Sequence, residues 1–175
     1  MGHDKALMPL DGIPLAVRVQ RVLREAGACE VFAIGGDAKA LTTLGFVAVP
    51  DERPLEGPLG GILTALSVAT EETVVVVACD MPWIESQHVT KLVASLDDAE
   101  VVFSAANGRV EPLLSAWTRA SRRRLYERFA AGERSPLRAA RHISLSVLEL
   151  GEGSWSLDLD TPNDLAIAST RRHQR

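Results

Sequence analysis

Five apolar runs rich in β-branched residues alternate along the chain with stretches of helical periodicity, and this alternation restricts the possible folds. The runs are Val31–Ile34, Phe46–Val49, Val74–Cys79, Val101–Phe103 and Ile143–Leu148. Between them, apolar positions three or four residues apart predict helices, the first of which begins after Pro14 and ends at Gly27. This order predicts βαβ units and a mostly parallel sheet with helices on both faces. The uniformly apolar or β-branched stretch 73–77 predicts a central strand that is buried on both sides.

Composition narrows the class of protein. The 175 residues fit one domain, and 19 Lys+Arg against 23 Asp+Glu give a net charge of −4. A sequence pI of about 5.6 argues against a nucleic-acid-binding protein, and the absence of a long apolar run argues against a membrane protein. Cys29 and Cys79 lie beside apolar runs, which predicts two buried free thiols and a cytoplasmic location.

The start of the chain departs from the expected pattern. Doubly wound α/β domains open with an apolar strand, whereas residues 1–5 lead directly into a turn at Asp11-Gly12 and then into a helix. We therefore predict that the first strand is missing and that the natural protein begins upstream of Met1. The loss of a central strand would make the 175-residue chain prone to aggregation and poor at binding nucleotide.

Two aspartates follow predicted strands. Asp80 directly follows the run 74–79, and Pro82 then turns the chain away from the strand. Asp80 is therefore expected at the carboxyl end of a strand, and open α/β sheets bind ligands in the crevice at that end. A carboxylate there suits Mg²⁺, which keeps most of its waters and bridges to substrate phosphates. Asp160 also follows a short alternating strand and is a candidate second metal ligand. The alternative is that Asp80 only caps a helix or forms a turn.

Further residues suggest an anion site. Residues 56–61 form a glycine-rich loop before a helix predicted to begin near Ile62, and Gly60 and Gly61 would let the backbone approach a ligand. The alternative for this loop is an ordinary turn. Lys5 provides a compact charge suited to a phosphate or a nucleobase carbonyl. Arg134 and Ser135 form a candidate pair for an anionic second substrate.

Four motifs together resemble the molybdenum cofactor guanylyltransferase family. They are Asp4–Pro14, Gly57–Gly61, Cys79–Pro82 and Asp158–Pro162, in the family's order and over nearly the whole chain. The resemblance implies a Rossmann-like, three-layer α/β/α nucleotidyltransferase domain over 1–170, followed by a polar basic tail, 171–175. It further implies transfer of GMP from GTP to the phosphate of molybdenum-bound molybdopterin, with Mg²⁺ as cofactor. Expected partners are molybdoenzymes or other proteins of molybdenum cofactor biosynthesis.

The resemblance also suggests site residues. Lys5 and Asp80 are the expected catalytic residues, with Asp80 as the metal-binding aspartate. The expected nucleotide-binding residues are Lys5, Asp51, Gly57, Gly60, Gly61 and Asp80, with Asp51 on the guanine or ribose side. Gly35 and Gly36 stand where the family often has an asparagine. The regions Glu111-Pro112 and Gly132–Ser135 match parts of the family near the pterin substrate.

Several functions remain open from the sequence. The family's opening strand and its Leu-Ala-Gly-Gly loop are absent, and only Met1-Gly2 remains of the Arg-Met-Gly that follows. The resemblance implies that this loop distinguishes guanine from cytosine. Without it, a cytidylyltransferase for the same cofactor is an alternative, as is a cobinamide or sugar nucleotidyltransferase. A non-catalytic relative that binds a partner or a pterin also fits the sequence, and so does a generic α/β binding domain.

Overall fold

The computed structural model describes residues 4–151 and residue 155. Its helices are α1 (Leu15–Glu25), α2 (Ala38–Thr43), α3 (Pro58–Val68), α4 (Ser86–Ala94), α5 (Arg122–Ala130) and α6 (Pro136–Ala140). Its strands are β1 (Pro9–Leu10), β2 (Ile13–Pro14), β3 (Phe32–Ile34), β4 (Val47–Val49), β5 (Thr73–Val77), β6 (Val101–Ala106), β7 (Arg109–Thr118) and β8 (Leu145–Glu149). All five predicted apolar runs contain a strand, and α1 begins directly after Pro14.

The strands of the described residues form three sheets. β1 and β2 pair as a small antiparallel hairpin, and β3 and β4 pair in parallel. The third sheet has the order β5-β7-β6-β8, in which β6 and β8 are parallel. β5 and β6 are each antiparallel to β7, so β5, β6 and β8 run in one direction. The Rossmann-like α/β fold is therefore confirmed, with β7 as a reversed strand.

The sequence patterns missed β7. This ten-residue strand follows β6 through a two-residue turn, Asn107-Gly108, in which both residues have positive φ values of 52° and 72°. An Asn-Gly pair between apolar runs is the usual signature of such a hairpin, so the signal was present in the sequence. β7 matters for the site because its pairing with both β5 and β6 joins these two strands.

Two apolar cores lie on opposite faces of the sheet. On one face, α3, α5 and α6 pack against Val101, Phe103 and Trp117, and the two aromatic rings contact edge to face. On the other face, α1 and α4 pack against Val102 and Ala116. Alternate residues of β6 serve the two cores, and all six of its residues are buried. These cores give the three α/β/α layers that were predicted.

The prediction that 73–77 forms a central strand is wrong for the described sheet. β5 is an edge strand there, and its four valines are only half-buried although they resemble β6 in composition. A cavity of about 780 Å³ lies between β5 and β3, and both strands line it. β5 is therefore less buried than β6 because only one of its edges is paired.

The structure also bears on the two cysteines and on membrane insertion. Cys29 is exposed, which corrects the prediction that it is buried, whereas Cys79 is half-buried, and both thiols are free. Cys29 is exposed because it lies in the turn between α1 and β3 and not in a strand.

Among the described residues, no helix has the length and apolar character needed to cross a membrane.

His88 fixes the start of α4, the helix that follows Asp80 and the turn after it. Its Nδ1 accepts a hydrogen bond from the backbone N–H of Glu85 at 3.0 Å, and its ring contacts that of Trp155. Burial, supported by the nearby Lys91 charge and opposed by Glu85, lowers the pKa of His88 below 6.5. The neutral ring is therefore the form that the fold requires.

We expect the protein to lose stability on mild acidification through His88. In the unfolded chain this residue binds a proton near pH 6.5, whereas in the folded chain it binds one only at a lower pH. Protonation therefore favours the unfolded chain, and the free energy of unfolding falls as the pH drops below 6.5. Urea unfolding at pH 7.5 and 5.5 would measure this loss. In His88→Gln, whose amide oxygen can accept the same hydrogen bond without titrating, the loss should be smaller. An equal loss in both proteins would contradict this role.

Candidate functional site

Lys5 and Asp80, which are 75 residues apart in the chain, meet at the carboxyl end of β5. The Lys5 Nζ and Asp80 Oδ2 atoms are 3.3 Å apart, and the Asp80 side chain is 21% exposed. Lys5 belongs to a short 3₁₀ turn, Lys5–Leu7, and Asp80 follows β5 directly. The structure thus brings together the two residues predicted to be catalytic, and both remain accessible to a ligand.

Asp4 holds the Lys5 turn in place, a role that the sequence patterns did not indicate. One oxygen accepts a hydrogen bond from the N–H of Ala6 at 3.0 Å, and the other accepts one from the N–H of Asp37 at 2.9 Å, just after β3. Asp4 therefore ties the Lys5 turn to the carboxyl end of β3, while Lys5 reaches the carboxyl end of β5. Both strands must then end on the same side of the molecule. An aspartate directly before a short helical turn was the available signal, since this residue type caps helices.

Gly36 makes room for the Asp4 carboxylate. Its φ is +74°, and a Cβ atom built there would lie 2.8 Å from Asp4 Oδ2. Gly35, also at positive φ, lies beside the Cβ of Asp51. Gly35 and Gly36 thus let the segment after β3 pack closely against Asp51 and Asp4.

Asp51 lies near this end of the sheet and is held by its neighbours. Its Oδ1 accepts hydrogen bonds from the N–H of Arg53 at 2.9 Å and from the Thr64 hydroxyl at 3.1 Å. Thr64 is fully buried in α3 and also accepts a hydrogen bond from the N–H of Glu52. These contacts fix the segment after β4 against α3. They show how Asp51 is positioned, while its role on the guanine or ribose side stays a prediction.

The glycine-rich segment is partly helix. α3 begins at Pro58, four residues earlier than predicted, because proline at the first helical position needs no hydrogen-bond partner for its nitrogen. Gly57 precedes the helix at a φ of +82°, a conformation that favours glycine. A Cβ at Gly60 would crowd Arg53 at 3.1 Å, whereas one at Gly61 would meet nothing within 4 Å. Gly60 thus serves packing, and Gly61 opens onto the 780 Å³ cavity that Asp80 also lines.

The 132–135 loop lies against this segment. The Arg134 guanidinium stacks on the Phe129 ring at 3.9 Å from its centre and forms an ion pair with Glu56. The Arg134 backbone lies beside Gly57, since a Cβ there would be 3.5 Å from its carbonyl oxygen. The loop 132–135, predicted to lie near the pterin, and the segment 57–61, predicted to bind the nucleotide, are therefore neighbours. The sequence alone did not show this.

Glu133 organises the same loop. Hydrogen bonds from the Arg138 side chain and from the N–H groups of Ser135 and Arg134 lower the pKa of Glu133 to about 2. The carboxylate therefore remains charged near neutral pH. Its backbone contacts, together with the Ser135 cap on α6, hold Arg134 at the edge of the glycine-rich segment.

Glu111 and Pro112 lie toward the Asp80 end of the sheet. The N–H of Ala78, directly after β5, donates to the C=O of Leu113 in β7 at 2.8 Å. The two residues before Leu113 therefore lie beside the segment that leads to Asp80. This location agrees with a position near a substrate, although their contact with a pterin stays a prediction.

The acidic side chains of the described residues do not form a many-ligand metal site. Within 4–151 and at 155, no group of three or more His, Cys, Asp or Glu side chains is arranged to hold a metal ion. Mg²⁺ often takes only one or two protein carboxylates and fills its remaining positions with water and substrate phosphates. Asp80, which is accessible beside the cavity, fits that limited role. Asp160 lies outside the described residues.

The half-buried thiol of Cys79 lies next to Asp80. Burial, together with the negative charges of Asp80 and Asp4, raises the pKa of the Cys79 thiol to about 11. The thiol is therefore protonated at neutral pH and is a poor nucleophile.

Comparison with known proteins identifies the family. Residues 1–145 match the model of the MobA-like NTP transferase domain. The chain belongs to this family. It is 32% identical to the molybdenum cofactor guanylyltransferase of Rhodobacter capsulatus over 180 residues, covering 99% of this chain and 90% of that relative. It is also 32% identical to the probable molybdenum cofactor guanylyltransferase of Carboxydothermus hydrogenoformans, covering 67% of this chain but 58% of that relative.

A solved structure supports the fold. The molybdopterin-guanine dinucleotide biosynthesis protein A of Archaeoglobus fulgidus superimposes with a TM-score of 0.77 at 19% identity, covering 99% of this chain and 93% of that chain. The chain therefore has the architecture of MobA-like nucleotidyltransferases. The predicted family resemblance, the fold class and the assignment to a nucleotidyltransferase enzyme family are confirmed.

We expect the two cysteines to differ in reactivity. A thiol-specific disulfide reagent at pH 7.5 should modify one equivalent of exposed Cys29 quickly and Cys79 much more slowly, because only the thiolate reacts and the pKa of Cys79 is near 11. Cys29→Ser should remove the fast phase alone. A fast phase that persists in Cys29→Ser would contradict this environment for Cys79.

We also expect Gly36→Ala to destabilise the fold more than Gly45→Ala does. Both glycines have positive φ, so both substitutions carry backbone strain, but only the methyl group at residue 36 meets the Asp4 carboxylate. The difference in the free energy of unfolding should be about 1–3 kcal/mol, as for overpacking in other proteins. Equal losses in urea unfolding would mean that Asp4 moves aside freely.

Proposed function

We propose that this chain transfers GMP from GTP to the phosphate of molybdenum-bound molybdopterin and releases pyrophosphate. The observation that carries the proposal is the meeting of Lys5 and Asp80 at the carboxyl end of β5, beside the cavity onto which Gly61 of α3 opens. Membership of the MobA-like family and the names of the similar relatives support this choice of substrates. Molybdoenzymes and other proteins of cofactor biosynthesis are the proposed partners.

The reaction needs no protein nucleophile. An oxygen of the pterin phosphate forms a bond to the α-phosphorus of GTP, and the bond from that phosphorus to the bridging oxygen of pyrophosphate breaks. The leaving pyrophosphate takes the electron pair. The protein lowers the barrier by holding the two phosphates in line and by countering the charge that develops on them.

Each proposed site residue has a distinct task. Lys5 binds the nucleotide phosphates through its ammonium group, which its 36% exposed side chain can present to a ligand. The first turn of α3 contributes its positive dipole end, and Gly57, Gly60 and Gly61 allow the nucleotide to approach. Asp51 would face the guanine or ribose. Arg134, whose backbone lies beside Gly57, would bind the anionic pterin substrate.

Mg²⁺ is the proposed cofactor. Asp80 would hold it, with Asp160 as the second protein ligand, and the ion would counter the negative charge of the phosphates when bound. Lys5 lies within reach of Asp80 and so keeps this carboxylate oriented in the structure described here. The protein's own part is to position Asp80 at the end of a rigid strand.

We expect Asp80→Asn to remove metal-dependent turnover while leaving the fold intact. Pyrophosphate release with GTP, Mg²⁺ and molybdenum-loaded molybdopterin should fall by about 100-fold or more, since a bound metal ion contributes several kcal/mol to catalysis. The exposed Asp97→Asn is the matched control and should keep parental turnover. Parental turnover in Asp80→Asn would refute the metal-ligand assignment.

The same assay on the unsubstituted protein separates the alternative functions. Pyrophosphate release with CTP in place of GTP would favour the cytidylyltransferase, and binding of GTP without turnover would favour the non-catalytic relative.

We expect Lys5→Ala to weaken GTP binding by about tenfold or more, as the loss of a charge-assisted hydrogen bond does elsewhere. The free energy of unfolding should change by no more than about 1 kcal/mol, because a partly exposed ion pair contributes little. Calorimetric titration with GTP and Mg²⁺, together with urea unfolding, would separate the two effects. Unchanged GTP affinity would exclude Lys5 from the nucleotide site.

A further inference from the structure

The pairing of β6 with β7 is interrupted beside the candidate site. Phe103 of β6 pairs with Ser115 of β7. The next residue of β6, Ser104, pairs with Glu111, so the register skips three residues of β7. We call these three residues, Pro112–Leu114, the arch. Irregularities of this kind often re-aim a strand next to an active site.

The arch follows β5 instead of β6. Leu114 pairs with Val77, the last residue of β5. The C=O of Leu113 then accepts a hydrogen bond from the N–H of Ala78 at 2.8 Å. The arch therefore keeps β7 in contact with the chain beyond the end of β5, in the direction of Asp80.

The contact between Ala78 and Leu113 is the point at which the chain begins to turn toward Asp80. Facing residues of antiparallel strands often exchange two hydrogen bonds, but here the two remaining groups are used differently. The C=O of Ala78 accepts a hydrogen bond from the N–H of Met81 at 3.4 Å. The N–H of Leu113 donates to the Glu111 carboxylate at 3.3 Å. The turn closed by Met81 carries Asp80, so the position of this carboxylate depends on where the arch holds Ala78.

The Ser115 side chain closes the arch. Its hydroxyl donates a hydrogen bond to the C=O of Pro112 at 2.8 Å and accepts one from the indole N–H of Trp117, also at 2.8 Å. Ser115 and Trp117 are both fully buried. A hydroxyl can donate and accept at once, so this serine links the arch to the aromatic core of the sheet.

We propose that Ser115 is a positioning residue for Asp80. Its hydroxyl sets the shape of the arch, the arch holds Ala78, and Ala78 begins the turn that carries the Asp80 carboxylate. Because Ser115 is fully buried, it acts through these contacts and not on a substrate. This role rests on the proposed function, in which Asp80 holds Mg²⁺ against the nucleotide phosphates. Small displacements of a catalytic group reduce turnover strongly, even when their cause lies away from the reacting atoms.

The other end of β7 offers a matched control. Ser121 is also fully buried, and its hydroxyl donates to the C=O of Thr118, three residues earlier, at 2.8 Å. Ser115 bonds to the carbonyl three residues earlier at the same distance. Thr118 pairs with Thr73 at the start of β5, at the opposite end from Asp80. Substitution of either serine by alanine thus removes the same kind of hydrogen bond, but only one of the two lies beside the site.

Amide hydrogen exchange, followed by NMR in the full chain, tests the contact between the arch and the turn. The N–H groups of Ala78 and Met81 report on the turn, and that of Gly35, which bonds to β4 in another sheet, reports on general loss of stability. Relative to this reference, Ser115→Ala should speed exchange at both turn amides by about tenfold, the range expected for a lost buried hydrogen bond. Ser121→Ala should leave the ratio unchanged.

The dependence of turnover on Mg²⁺ tests the position of the carboxylate. With GTP and molybdenum-loaded molybdopterin, Ser115→Ala should raise the Mg²⁺ concentration for half-maximal turnover by about tenfold, as the loss of an outer support of a metal ligand does elsewhere. A smaller folded fraction would lower the maximal rate without changing that concentration. Ser121→Ala should keep the parental value. If Ser115→Ala does not fold, Ser115→Cys, which keeps a weak donor, takes its place and should shift both measurements in the same direction.

Equal changes in Ser115→Ala and Ser121→Ala would make Ser115 a structural residue only and overturn the proposal. Faster exchange at Ala78 with an unchanged Mg²⁺ requirement would also overturn it, since the arch would then not determine the position of Asp80. If the parental protein shows no turnover with GTP, the proposed function fails by itself. Exchange at Met81, which closes the Asp80 turn, then decides the role of Ser115: faster exchange supports it, and unchanged exchange overturns it.

Discussion

The burial of β6 on both faces and along both edges is the constraint on which the rest of the structure depends. All six of its residues are buried, and its hydrogen bonds are completed by β7 on one side and β8 on the other. Backbone groups taken out of water must be paired, so a strand in this position needs both neighbours and two helical layers. β7 in turn pairs with β5, which places Asp80 at a fixed point at the sheet's carboxyl end. The candidate site therefore depends on a core that contacts no substrate.

The contrast between β6 and β5 links the fold to the function. Both are apolar strands of one sheet, yet β5 is half-buried because one of its edges faces the 780 Å³ cavity. The same cavity reaches Asp80, which pairs with Lys5, and the first turn of α3. Asp4 joins the Lys5 turn to the end of β3, so both strands that line the cavity help to position the candidate site.

Short hydrogen bonds to carboxylates hold the loops around the site. Asp4 joins the segment after β3, Asp51 fixes the segment after β4 to Thr64, and Glu133 organises the loop that carries Arg134. Carboxylates that accept backbone N–H bonds at loop ends give defined geometry without filling the space that a ligand needs. Positions for the nucleotide and for the anionic second substrate can therefore lie side by side.

The sequence by itself determined the fold class, the positions of five strands and the rim position of Asp80, because these depend on local periodicity and on the rule that parallel strands end at a common edge. It also determined the family through four ordered motifs. Only the tertiary structure decided that Lys5 contacts Asp80, that Arg134 lies beside Gly57 and that Gly60 serves packing while Gly61 faces open space. It also showed that Asp4 and Thr64 position the site and that, among the described residues, β5 has an unpaired edge. These facts depend on which distant segments become neighbours, and residue spacing along one chain does not encode such contacts.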